Sequence, residues 1–149
     1  MEMGLDEKRM AVWQAFLRTY TTVIPALEYE MQEAEGLPLT WYNVLTHLNR
    51  DPSGGLRLQD LAEAVVLSQS GLTRLLDRMS KAGLIERKPC PHDRRGAYAV
   101  MTLRGKAALE QAAPIHSRGI EQHFMQHLND EDVQVLNRAL LKILEAEKK

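Results

Sequence analysis

A chain of 149 residues is long enough for one domain with a real core, and its 44% hydrophobic and 26% charged content excludes a disordered tail or a fibre. No apolar run approaches the ~18 residues that span a bilayer, and Glu2, Asp6, Glu7, Lys8 and Arg9 crowd the start, so a soluble cytoplasmic protein with no membrane partner is expected. The lone cysteine, Cys90, rules out an intramolecular disulfide and fits a reducing compartment, while the formal net charge of -1 gives no overall bias toward nucleic acid.

Taken in chain order, the first signal is a helix. Met10, Trp13, Leu17, Tyr20, Ile24, Leu27 and Met31 recur at spacings of three and four, the seam that a helix presents to a partner helix. Pro25 predicts a kink within it, and Gly36, Leu37 and Pro38 end it. A short second helix carries Trp41, Val44, Leu45 and Leu48 before Asn49–Gly55 breaks the chain. Leu58, Leu61, Ala62 and Val65 share one face of a third helix. After a brief turn, Ser68 is a suitable N-cap for a fourth, which buries Leu72, Leu75, Leu76 and Met79 and ends at Gly83. The opposite face of that fourth helix is polar and basic: Gln69, Ser70, Thr73, Arg74, Asp77, Arg78 and Lys81.

Leu84–Lys88 and Ala97–Leu103 alternate like strands and make a hairpin around the loop that carries Pro89, Cys90, Pro91, His92, Asp93, Arg94, Arg95 and Gly96. Thr102 can cap a fifth helix running from about Leu103 to Leu128 with a kink at Pro114. Asn129 and the acids after it start a final helix burying Val133, Leu136, Leu140, Ile143 and Leu144. Charge is segregated along this plan. Ser68 to Lys106 holds nine basic and three acidic residues, a local +6, and the remainder holds ten basic and seventeen acidic, -7.

Two short helices with a tight turn, the second with a polar and basic face, followed by a hairpin with a basic loop, form the order of a winged helix-turn-helix. The fold class is mainly α with a small β-hairpin wing, and helices flank the DNA-binding part at both ends. In this arrangement the second helix enters the DNA major groove and the wing follows the backbone toward the minor groove. Ser68, Gln69, Ser70 and Thr73 place short hydrogen-bonding groups at a helix N-terminus that favours phosphate. Arg74 can bind guanine O6 and N7 together, and Arg78, Lys88 and Arg94 suit phosphate.

Leu56 to Leu109 resembles the DNA-binding core of the MarR (multiple antibiotic resistance) family of transcriptional regulators. The resemblance is carried by Leu61-Ala62, by Thr73-Arg74 and Leu75-Leu76-Asp77-Arg78-Met79, and by Gly83-Leu84-Ile85-Glu86-Arg87. It continues in the D-x-R of Asp93 and Arg95 and the T-x-x-G of Thr102 and Gly105. It implies a homodimer of interlocked terminal helices, with two winged parts reading a pseudo-palindrome in double-stranded DNA. It also implies repression relieved by a small aromatic or phenolic ligand or by oxidation. On this plan residues 1–149 form one chain-spanning domain, with a winged helix-turn-helix lobe at 37–104 and a helical dimerisation lobe at 5–35 plus 105–147. The resemblance puts Arg95 at the wing tip, in the minor groove, with Asp93 orienting it. The effector pocket falls where the first, second and fifth helices meet the winged part, with Trp13, Arg18, Tyr20, Trp41, Tyr42, His47 and His116 as candidates.

Other chemistries are thinner. Cys90 and His92 supply half the ligands of a closed zinc site and no second pair stands at matching spacing. Arginines near Cys90 would favour a thiolate, yet relatives that sense oxidants place that thiol near the N-terminal helices. His123 and His127 at i and i+4 on the expected fifth helix share a face, the helix on which zinc-sensing relatives use histidines, but no catalytic motif accompanies them. No catalytic residue, metal or cofactor is assigned, and no enzyme is expected: there is no G-x-S-x-G and no phosphate-cradling glycine loop. A protein-interaction adaptor is the competing class, and base-reaching arginines at 74 and 95 are the features it would not need.

Overall fold

The computed structural model of the chain describes residues 4–65, 67, 69–90 and 93–148. In chain order the elements are α1 (Glu7–Glu35), α2 (Leu39–Arg50), β1 (Gly55–Arg57), α3 (Leu58–Val65), α4 (Gln69–Lys81), β2 (Ile85–Cys90), β3 (Asp93–Met101), α5 (Leu103–His123), a 3-10 turn (Met125–His127) and α6 (Asp130–Glu147). The result is a mostly helical chain with one small antiparallel sheet, in strand order β1-β3-β2. Two compact units divide it: one takes the first 26 residues with 117–149, the other is 27–116.

The 27–116 unit is built around leucine. Leu45, Leu48, Leu61, Leu76, Met79, Val44 and Met31 are fully buried, and Leu72, Ile85 and Ala99 are nearly so. On α4 the positions 72, 76 and 79 recur at helical spacing, so one stripe goes inward and the rest of the helix surface is left for solvent or a partner. α3 packs on α2 and α4, and α4 on β2.

Hydrogen bonds at two short motifs hold the sheet to these helices. Gly83 ends α4 with φ of 81°, and the Leu84 amide donates to the Met79 carbonyl at 3.0 Å while the Gly83 amide donates to Ser80 at 3.0 Å, a complete Schellman cap. At the start of α5 the Thr102 hydroxyl donates to the Gly83 carbonyl at 2.6 Å and accepts from the Gly105 amide at 3.0 Å. A Cβ at Gly105 would come within 2.1 Å of the Leu84 carbonyl oxygen, so only glycine allows α5 this close to the α4–β2 turn. The T-x-x-G signature is thus a joint between helix and wing rather than a binding motif.

Three sequence expectations change. The sheet has a third strand, β1, whose register is Gly55↔Val100, Leu56↔Ala99 and Arg57↔Tyr98. The hairpin strands run further than Leu84–Lys88 and Ala97–Leu103: Pro89 lies opposite Ala97 and Cys90 opposite Asp93, with a register shift between Pro89 and Cys90. Proline is tolerated there because β2 is an edge strand and a bulge interrupts the ladder. α5 stops at His123 rather than Leu128, because Phe124 leaves helical geometry (φ -135°, ψ -66°) and the chain tightens into the 3-10 turn.

The final helix begins as expected, with the Asn129 side chain accepting from the Asp132 amide at 2.8 Å and the Asp132 carboxylate accepting from the Asn129 amide at 3.1 Å. Yet Val133, Leu136, Leu140, Ile143 and Leu144 are exposed, as are Trp13, Phe16, Leu17 and Tyr20 of α1. Among the described residues every buried apolar side chain lies within 27–116. In the other unit the apolar side chains of α1 and α6 stand exposed.

Candidate nucleic-acid interface

α3 and α4 are joined through residues 66–68, and the Leu67 amide donates to the Ala62 carbonyl at 3.1 Å as the chain leaves α3. This short connection makes the pair a helix-turn-helix. Opposite its buried stripe, α4 presents Ser70, Arg74, Asp77, Arg78 and Lys81 as exposed residues, with Thr73 half-buried beside them. Ser68 lies outside the described residues, and so does the side chain of Gln69. The face therefore carries hydroxyls at its N-terminal end and cations along its length, the order in which a recognition helix meets phosphate and then base edges.

The wing follows directly. Lys88 is exposed on β2, where its ammonium approaches the Glu86 carboxylate at 3.8 Å. Asp93, Arg94 and Arg95 lie on the β3 backbone rather than in a loop, and their side chains, like that of Cys90, are outside the described residues, as is His92. At the base of the hairpin, the Tyr98 hydroxyl donates to the Gly55 carbonyl at 3.0 Å and lies 3.0 Å from the Ser53 hydroxyl, tying β3 to the turn before β1. A further tie escaped the sequence reading: Arg87 Nη1 of β2 donates to Asp77 Oδ1 of α4 at 2.5 Å. No local spacing signals it, because ten residues and a turn separate the partners.

The effector candidates divide between the units. Tyr42 and His116 come together in the 27–116 unit, ring centroids 4.4 Å apart and tilted by 34°. Trp41 and His47 are half-buried elsewhere on α2. Trp13, Arg18 and Tyr20 are exposed on α1, in the other unit, where Trp13 stacks on Phe16 at 5.9 Å. Arg18 lines an open trough on α1 with Ala11, Gln14, Ala15 and Leu17. His123 is the last residue of α5 and His127 lies in the 3-10 turn, so the two do not share a helix face. Among the described residues no three His, Cys, Asp or Glu side chains cluster as metal ligands.

Burial holds His116 below the usual histidine range; burial, then the Arg50 charge, does the same for His47. A histidine whose folded pKa is depressed favours the fold when neutral. Its contribution is full above the unfolded value of about 6.5 and is lost as pH falls from there toward the folded value. Between about pH 7.5 and about pH 5, the melting temperature of the unmodified chain is expected to fall more steeply than that of His116→Phe. His47 titrates in both proteins and cancels in the comparison; parallel pH profiles would contradict the burial of His116.

The sequence profile described as the MarR family matches residues 35–96, from the end of α1 into the start of β3. The chain is similar to AbsC, a MarR family transcriptional regulator from Streptomyces coelicolor: TM-score 0.91, 32% identity, 97% of each chain covered. The chain belongs to the MarR family. It also matches the multiple antibiotic resistance protein MarR of Escherichia coli K12 at 32% identity over 85 residues, 57% of this chain and 59% of that protein's length. Sco3205, a MarR family regulator of Streptomyces coelicolor solved in complex with DNA, superposes with a TM-score of 0.93 at 26% identity over the whole of this chain and 93% of its own. The MarR family consists of transcription regulators, not enzymes, which places this chain in the same class. The MarR match spans α4 and β2, the elements that carry the exposed cations described above. Among the described residues, no helix is long and apolar enough to cross a membrane.

Proposed function

We propose that this chain is a homodimeric, sequence-specific regulator that binds a pseudo-palindromic site in double-stranded DNA and represses transcription until a small ligand releases it. The observation that carries the reading is α4, with Leu72, Leu76 and Met79 inward and Ser70, Thr73, Arg74, Arg78 and Lys81 on the outward side of a helix-turn-helix. α4 lies in the major groove; Ser68, Gln69, Ser70 and Thr73 meet phosphate and base edges near its start, Arg74 reads a guanine, and Arg78 meets the backbone. Lys88 and Arg94 follow phosphate along the wing, Arg95 enters the minor groove, and Asp93 orients it. That Sco3205 was solved in complex with DNA supports the DNA-binding reading.

Dimerisation is supported by the exposed apolar stripes of α1 and α6. The lobes would then be 37–104 for DNA and 5–35 plus 105–147 for the partner. The effector is a small aromatic or phenolic ligand, with Tyr42 and His116 as one wall and Trp41 and His47 of the same unit as further candidates. The test is to select duplexes from a random library with the purified protein and footprint them, measuring its mass in solution alongside. Two protected half-sites about 34 Å apart, or a multiple of that, on a dimer are expected. A monomer protecting a single half-site would overturn the reading. Loss of footprint on adding an aromatic carboxylic acid or a phenol identifies the ligand class.

A further inference from the structure

α4 contains one acidic residue, Asp77, and it stands between Arg74 and Arg78 on the face that DNA would approach. A carboxylate there repels phosphate, so its presence calls for a compensating role. The structure gives it one: Asp77 Oδ1 accepts from Arg87 Nη1 at 2.5 Å. Strand alternation explains why Arg87 can reach. Ile85 and Arg87 share the face of β2 that turns toward the core, where Ile85 is 1% exposed, whereas Glu86 and Lys88 occupy the other face and pair with each other. Arg87 is thereby directed at α4, and Lys88 is left outward.

α4 and β2 are already joined at the Gly83 turn and by the packing of α4 on β2. The ion pair, ten residues apart in sequence and beyond that turn, adds a tie further along the strand. Both side chains are partly exposed, at 51% and 34%, so the bond contributes little to global stability. Its consequence is geometric.

Resting on the DNA-binding reading above, we propose that Asp77 and Arg87 are positioning residues that fix the wing relative to the recognition helix before DNA arrives, and that Arg87 is not a phosphate contact. Preorganisation of this kind acts on affinity by reducing what must be ordered on binding.

The sign of one substitution separates this from simple electrostatics. Asp77→Asn removes a negative charge from the DNA-facing helix and frees Arg87, so charge alone makes binding to a library-selected duplex tighter. The proposal expects it to bind that duplex roughly fivefold to tenfold more weakly, within the range seen for coupled contacting pairs. The reversal Asp77→Arg with Arg87→Asp is expected to recover the unmodified affinity to within about twofold. Arg87→Gln is expected to leave the slope of log affinity against log salt unchanged, whereas loss of a phosphate contact lowers it by about one. Without DNA, amide exchange across 85–89 is expected to quicken in Asp77→Asn while the melting temperature stays close to that of the unmodified chain. Tighter or equal binding by Asp77→Asn, or no recovery on reversal, overturns the proposal alone. Failure of the unmodified chain to select any duplex overturns the DNA-binding reading and this proposal with it.

Discussion

Replacing Leu76 with alanine is expected to lower the free energy of unfolding by about 2–5 kcal/mol, the range for truncating a buried leucine without collapse of the surroundings. Leu76 is fully buried on α4, flanked along the helix by Leu72 and Met79, and α4 packs on both α3 and β2. With neighbours on two sides fixed by the Gly83 cap and the Thr102 joint, the site has little room to close over the lost methyls. Urea titration at one fixed protein concentration measures the effect, since a dimer's stability depends on concentration. The same substitution also loosens the seat of the recognition helix, so DNA affinity is expected to fall with stability. A loss under about 0.5 kcal/mol, the size usual for surface substitutions, would mean that α4 is not held by this stripe.

The elements that carried their own punctuation were legible in the sequence. Gly83 marked the end of α4 because only a residue at ease with positive φ completes that cap, and Asn129 with Asp132 marked the start of α6. The outward face of α4 followed once the stripe at 72, 76 and 79 was set, because helical period fixes the rest. β1 was not legible: three residues have no periodicity, and the strand exists only through pairing with β3 more than forty residues on. Prolines at 89 and 91 made 89–96 read as a loop, although an edge strand with a bulge accepts Pro89. α5 ran too far in the sequence reading because Phe124, Met125 and Leu128 continue an apolar pattern and no glycine or proline stops it. The Asp77–Arg87 tie joins two elements across a turn, so it appears only with the fold. The exposed apolar stripes of α1 and α6 were visible as helical spacing in the sequence.

Arg74→Ala is the second large effect. Its side chain lies on the exposed face of α4, away from the Leu72–Leu76–Met79 stripe, so removing it should change folding stability by less than about 0.5 kcal/mol. A bidentate contact to guanine is worth about 1–3 kcal/mol of discrimination, so binding to the selected duplex is expected to weaken by roughly fivefold to over a hundredfold. Arg95→Ala, acting through the minor groove, is expected to weaken binding with less change in major-groove preference.

The most direct measurement compares the unmodified chain and Arg74→Ala on the selected duplex and on a scrambled duplex of equal length and base composition, at one salt concentration. If α4 reads sequence, the variant loses affinity mainly on the selected duplex and the ratio between the two duplexes collapses toward one. Equal, small losses on both would contradict the assignment, showing that Arg74 meets only phosphate and that sequence is read elsewhere.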